Sequence, residues 1–436
     1  MASTATAEAV GERHDLYRSM MQQLLADGHH DMAQQLAERL STDLGALSAS
    51  SGLYDLFAAS NQTSTMWTQN TAATTSRGLD FGHTVDPATL DARFELKAAL
   101  SLPSAPTVCA VSRDGELFAV GCQDGRVRVY RSRGLVTSTN MVESGSAAML
   151  ANFDGSSPVS ALAFHPTKAI ISAGSTDGLI SHFDFTPNAQ NISNTLQDPC
   201  GITALEYHPT GAYLLVAAEH PTLRLYNTDT WQCYRPANWA TEHTAPLCAA
   251  RFTSDAKTIV TACTLGMVKV WSAVSLTCLK THGPIFDMDS ICNLQLSSSG
   301  TYALITSSTQ RLVLMQLDNG RVIFEYKGAT PASASTPAAF AQDEALVLWA
   351  DESGSIAAWN TRTAEPLAAT AAHPVPILTM YYSEAKQMLL TGSGDRQLKL
   401  WQSPSANVAT ASAAAQRHDN SVKTETIKTE PTTADD

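Results

Sequence analysis

Between Ile202 and Cys233 three short apolar runs alternate with turn formers. The runs are Ile202 to Tyr207, Ala212 to Ala218 and Thr222 to Tyr226; His208-Pro209-Thr210-Gly211 and Glu219-His220-Pro221 separate them. Each run is too short for a helix and rich in Leu, Tyr and Val, which predicts antiparallel strands joined by tight turns. Pro209 presets φ for a turn and Gly211 permits a left-handed residue. A sheet with two apolar faces cannot fold alone and must stack on copies of itself.

The copies are found by taking the aromatic that closes the third strand, Tyr226, as a ruler. Its equivalents are Tyr130, Phe183, Trp271, Met315, Trp359 and Trp401, at steps of 53, 43, 45, 44, 44 and 42 residues. Six positions before each stands a turn residue: Asp124, Asp177, His220, Leu265, Thr309, Ser353 and Asp395. A period of about 40–45 residues with four strands per unit is the mark of a WD-repeat β-propeller. Seven units fit, so residues 91–402 are predicted to form an all-β, seven-bladed propeller. Phe94 to Leu100 reads as an isolated strand ahead of the first repeat, which begins near Val108. The last blade, ending at Trp401, lacks an outer strand. Arg93–Leu100 can supply it and close the ring without an open edge. The N-terminal domain is then expected to be tethered near that seam.

Blades of this kind hold a buried His–Ser/Thr–Asp–Trp set, because a buried Asp needs partners. The last blade has His373, Ser393, Asp395 and Trp401 for it. The fourth keeps His243 and Trp271 but carries Leu265 in the Asp position, and the fifth has His282 with Met315 as its ruler. These two are expected to rely on apolar packing. Trp359 and Tyr226 are the structural aromatics of the sixth and third blades.

Ahead of the repeats the period changes. Residues 1–12 are small and polar and read as disordered. Over 13–60 apolar residues fall at helical spacing: Leu16, Met20, Leu24 and Leu25, then Met32, Leu36 and Leu40, with a third short stretch at Leu53, Leu56 and Phe57. Asp27-Gly28 closes the first helix, and Asp31 with Gln34 can cap the second. This small all-α domain cannot bury its stripe internally. It packs either on the propeller or on a second copy, and the long linker that follows favours self-association through Leu16, Met20, Leu24 and Leu36. The linker, 61–90, is dominated by Ser, Thr, Ala and Gln up to Gly82 and reads as flexible. The tail, 403–436, is polar, acidic overall and reads as disordered. Within it Val422-Lys423-Thr424-Glu425 and Ile427-Lys428-Thr429-Glu430 both match the apolar-Lys-x-Glu acceptor for SUMO attachment, making Lys423 and Lys428 candidate modification sites.

Charge narrows the function classes. With 28 Lys+Arg against 41 Asp+Glu the net charge is −13, which disfavours direct binding to a nucleic-acid backbone. The eight Cys form no C-x-x-C pair and read as free thiols of a reducing compartment. No run approaches the ~18 apolar residues of a membrane span, and Met1 to Val10 lacks the charged segment of a secretory signal. There is no G-x-S-x-G elbow and no P-loop, and Gly392-Ser393-Gly394-Asp395 precedes a strand rather than a helix. The chain therefore reads as a non-enzymatic, intracellular scaffold, with neither metal nor cofactor expected.

Several strings resemble a known family, the WD-repeat subunits (subunit 1) of cleavage stimulation factor. They are Leu16-Tyr17, Gln23-Leu24-Leu25 and Asp27-Gly28 in the helical hairpin, Phe164-His165-Pro166-Thr167, Trp359 to Glu365, and above all His220-Pro221-Thr222-Leu223-Arg224-Leu225-Tyr226 followed by Gln232-Cys233. Thr264-Leu265-Gly266 departs from the family's Asp-centred turn. The resemblance implies a nuclear protein of pre-mRNA 3′-end cleavage and polyadenylation. Its N-terminal domain would form a homodimer, and its propeller would dock the complex's HAT-repeat scaffold subunit and, through it, the RNA-binding subunit. The alternatives are a WD-repeat substrate adaptor of a ubiquitin ligase and a propeller hydrolase with its site in the central channel.

Overall fold

In the computed structural model, Leu79 and residues 92–132, 149–186, 191–287, 289–327 and 337–403 are described. The chain divides into two compact units, Met1–Thr75 and Ser76–Asp436. The second is built of seven four-stranded antiparallel sheets. Strand β1 (Glu95–Ser101) comes first, and the blades follow in order. Blade one is β2 (Pro106–Val111), β3 (Leu117–Cys122), β4 (Val127–Arg131) and β5 (Met149–Phe153). Blade two is β6 (Val159–Phe164), β7 (Ile170–Ser175), β8 (Leu179–Asp184) and β9 (Asn191–Gln197). Blade three is β10 (Ile202–Tyr207), β11 (Tyr213–Ala218), β12 (His220–Asn227) and the two-residue β13 (Cys233–Tyr234). Blade four is β14 (Leu247–Phe252), β15 (Thr258–Cys263), β16 (Val268–Ser272) and β17 (Cys278–His282). Blade five is β18 (Ile291–Leu296), β19 (Tyr302–Ser307), β20 (Leu312–Gln316) and β21 (Val322–Tyr326). Blade six is β22 (Ala338–Ala341), β23 (Leu346–Ala350), β24 (Ser355–Asn360) and β25 (Pro366–Ala371). Blade seven is β26 (Ile377–Ser383), β27 (Met388–Ser393) and β28 (Gln397–Gln402), with β1 as its outer strand.

The ruler residues hold one register throughout. Phe118 faces Tyr130, Ile171 faces Phe183, Leu214 faces Tyr226 and Ile259 faces Trp271. Ala303 faces Met315, Val347 faces Trp359 and Leu389 faces Trp401. The inner strands neighbour one another in sequence, and β26 returns to β2, so the ring is closed. The seam is the predicted one: β1 runs antiparallel to β28, with Leu100 opposite Leu398 and Glu95 opposite Gln402.

Second strands read as unbroken apolar runs because neighbouring blades bury both their faces. Each of the seven core clusters lies between two adjacent blades. Close approach there requires glycine at one register position of the second strand, as blades one and two show. A Cβ on Gly121 or Gly174 would lie 2.5 Å from Val159 Cγ1 or Ile202 Cγ2 of the next blade.

Two expectations about the chain ahead of β1 change. The predicted linker includes Leu79, yet Leu79 is only 5% exposed and packs among residues of blades five and six, including Leu304, Tyr326 and Trp349. Its backbone N–H donates to Glu344 Oε2 at 3.0 Å. Ala92 and Phe94 then pack between blades six and seven. The chain is therefore pinned between blades five and six before it reaches the seam, where the tether was expected.

Candidate functional site

The buried polar sets of the propeller hold its strands and blades together. In blade seven His373 Nδ1 lies 2.9 Å from Asp395 Oδ2, and His373 Nε2 lies 2.9 Å from Thr391 Oγ1. Trp401 Nε1–H donates to the same hydroxyl at 2.9 Å. With Asp395 accepting from Nδ1–H, Nε2 accepts, so Thr391 donates to the imidazole while accepting from the indole. Burial lowers the His373 pKa, and the Asp395 carboxylate opposes that shift. Ser393, expected in this set, does not belong to it. Its hydroxyl donates to the carbonyls of Val375 (3.0 Å) and Pro376 (2.8 Å) and ties the turn into β26. The physical reason is reach along the strand: Thr391 faces Lys399, two residues from the Leu389–Trp401 pair and on the same face of the sheet, whereas Ser393, though on that face too, lies beyond the last β27–β28 pair and too far from the indole.

Blade four repeats this geometry without the carboxylate. His243 Nε2 lies 2.7 Å from Thr261 Oγ1, and Trp271 Nε1–H donates to that hydroxyl at 2.8 Å. This blade does not rely on apolar packing alone, contrary to expectation. Leu265 leaves His243 Nδ1 buried without a partner, and burial together with Lys269 pushes the imidazole pKa down to about 3. Blade five does depend on packing, with Met315 and Ile305 fully buried, while His282 Nε2 lies 2.9 Å from the Leu317 carbonyl. In blade six Trp349 stands where the Thr would be; its ring centroid lies 6.0 Å from that of Trp359, whose indole N–H donates to the Lys327 carbonyl. Tyr226 of blade three is half-buried, and burial pushes its pKa up to about 12.

Side chains of the inner strands stitch one blade to the next. Thr107 donates to the Val159 carbonyl, Ser160 to that of Ile202, Thr203 to that of Leu247 and Asn293 to that of Ala338. In return, Phe252 N–H donates to Glu206 Oε2 (3.0 Å) and Cys109 N–H to Thr379 Oγ1 (3.0 Å). These bonds satisfy backbone groups that face the channel. Glu206, Arg251 and Tyr381 occupy the same register position on β10, β14 and β26. Burial pushes the Glu206 carboxyl up to about 7, against the pull of Arg251. Glu206 breaks the apolar pattern of β10, and that break is the signal a sequence reading could have used.

Two further buried sets have no precedent in the sequence reading. Arg224, inside the His220–Tyr226 string, lies with Nη1 2.9 Å from Asp198 Oδ2; both side chains are almost wholly buried. Its Nε has no acceptor. Ser172 Oγ lies 2.6 Å from His182 Nδ1 and 2.5 Å from the Tyr207 hydroxyl. Burial lowers the His182 pKa to about 4, and Ser172 is fully buried, so this Ser–His pair presents no nucleophile to solvent. Among the described residues no group of three or more His, Cys, Asp or Glu is placed to hold a metal ion. The candidate interface residues Leu16, Met20, Leu24 and Leu36, the helices that carry them, and Lys423 and Lys428 in the tail lie outside the described residues.

The fold and these sets define the class: a WD-repeat β-propeller, with the WD domain, G-beta repeat model matching at 97–131, 148–184 and 364–402. Ahead of the propeller, residues 8–65 match the family model described as cleavage stimulation factor subunit 1, dimerisation domain. Among curated proteins the chain is 26% identical over 205 residues to cleavage stimulation factor subunit 50 of Arabidopsis thaliana, covering 47% of this chain and 46% of that one. It is 22% identical over 211 residues to transducin beta-like protein 3 of Bos taurus, covering 46% of this chain and 26% of that one. The matches thus span about half or less of these relatives. On its N-terminal match, its repeats and the plant relative, the chain is similar to the WD-repeat subunit, subunit 1, of cleavage stimulation factor.

Proposed function

We propose that this chain is a non-enzymatic scaffold subunit of the cleavage stimulation factor complex, acting in pre-mRNA 3′-end cleavage and polyadenylation in the nucleus. Residues 13–60 form an all-α homodimerisation domain, and the propeller docks the HAT-repeat scaffold subunit and, through it, the RNA-binding subunit. One observation carries this reading: a dimerisation-domain match specific to that subunit lies on the same chain as a closed seven-bladed ring. The net charge of −13 agrees with leaving RNA contact to another chain.

The test is nuclease-treated affinity purification of the tagged full-length protein from its own cells, read by mass spectrometry. A HAT-repeat scaffold and an RRM-containing subunit are expected at near-equal amounts with the bait. Recovery of cullin-type subunits instead, or of no stable partner, overturns the assignment.

A further inference from the structure

The turns joining first to second strands lie at one end of the blades, and the grooves between successive turns differ. Between blades five and six the groove is filled. Leu79 enters it from upstream, its N–H bound by Glu344, whose other oxygen accepts the Ser298 N–H. Between blades one and two the corresponding groove is an open cleft of about 460 Å³. The two correspond residue by residue on the blade-one and blade-five sides. Ser112 N–H bonds to the Leu117 carbonyl and Ser297 N–H to the Tyr302 carbonyl. Arg113 therefore stands where Ser298 does, and Leu117 where Tyr302 does. The open cleft has an apolar floor of Leu117, Phe164 and Phe185, the two Phe rings 6.0 Å apart and edge-on. Its rim carries Arg113 and Lys168. Lys168 is held only loosely, 3.7 Å from the exposed Asp229. The one rim carboxylate, Asp114, already accepts from Ser112 Oγ and from the Glu116 N–H.

We propose that the cleft between blades one and two docks an extended segment of a partner protein, which inserts one Leu-sized side chain against Leu117, Phe164 and Phe185 and sets a carboxylate against Arg113 and Lys168. The filled groove shows the shape of occupant this geometry accepts. Phe185 N–H bonds to the Ala169 carbonyl as Thr361 N–H does to that of Ala345, so Lys168 stands where Glu344 does; the change from Glu344 and Ser298 to Lys168 and Arg113 reverses the charge, and the recognised segment pairs its apolar residue with an acidic one. This chain's own Leu79-Asp80 has that chemistry and supplies the probe.

The experiment titrates a fluorescein-labelled peptide of residues 76–83 against the full-length protein, read by anisotropy. Saturable binding is expected. Replacing the peptide Leu by Ser should abolish it, Ala169→Trp should abolish it by filling the cleft, and Lys168→Glu should weaken it at least fivefold while removing most of its salt dependence. Circular dichroism and an unchanged thermal midpoint keep the Trp variant interpretable. Three outcomes overturn the proposal. One is no binding at millimolar peptide. Another is binding unaffected by Ala169→Trp but lost in Glu344→Ala, which places the peptide in the Leu79 groove. The third is a change in oligomeric mass on Ala169→Trp alone, which makes the occupant a second copy of this chain.

Discussion

A single hydroxyl in blade seven, that of Thr391, joins two buried side chains, and its removal should be felt at once. Thr391→Val keeps shape but leaves His373 Nε2 and Trp401 Nε1 without a partner. Each buried polar group left unmatched costs about 1–3 kcal/mol, so a loss of roughly 2–6 kcal/mol is expected in urea titrations. Ser393→Ala removes bonds to two carbonyls at a turn and should cost about 1 kcal/mol. Equal effects would return Ser393 to the set. The sequence reading found His373, Asp395 and Trp401 but took the wrong hydroxyl, since Ser393 lies nearer the Asp along the chain. The deciding signal is an offset: Thr261 precedes Trp271 and Thr391 precedes Trp401 by the same interval, which puts each hydroxyl under its indole. The buried Arg224–Asp198 pair was illegible for a different reason. Asp198 lies in the connection between β9 and β10 while Arg224 lies on β12, and no run of apolar and polar positions marks two residues so placed as a pair.

At the scale of strands, the inner three of each blade were legible because burial on both faces writes them as apolar runs between turns. Outer strands were harder: they expose one face and vary in length, down to the two residues of β13. The exception is β1, whose place followed from counting, since the last blade needed an outer strand and Phe94–Leu100 was the spare. That closure can be tested within the strand. Leu100 is buried among Leu398, Leu400 and Phe118, whereas Leu96 is 41% exposed. Leu100→Asp deletes a core side chain and buries a charge, and should cost about 3–5 kcal/mol and expose the β28 edge to self-pairing. Leu96→Asp should change stability by less than about 1 kcal/mol. Thermal unfolding with size-exclusion chromatography reads both. A Leu100→Asp protein that stays monodisperse with an unshifted midpoint would show that the seam does not hold the ring.

For the whole molecule, the proposed scaffold role depends on two copies acting together. A homodimer carrying two propellers converts the second attachment to a bivalent complex into an intramolecular step, which raises avidity by roughly 10²–10⁴ without any new contact. The same arithmetic gives a sharp expectation for Leu24→Asp. A carboxylate on the apolar stripe opposes burial against a second copy, so the mass by light scattering should fall from twice 46.5 kDa to 46.5 kDa. The propeller should not notice, because residues 1–75 and 76–436 are separate compact units; its thermal midpoint should be unchanged. Dissociation from a surface dense in HAT-repeat subunit should accelerate by at least about tenfold, and dissociation from a sparse surface, where only one propeller engages, should not change. A dimeric mass for Leu24→Asp removes that residue from the interface. A monomeric mass with equal dissociation from both surfaces would leave the dimer intact as a finding and remove avidity as its purpose.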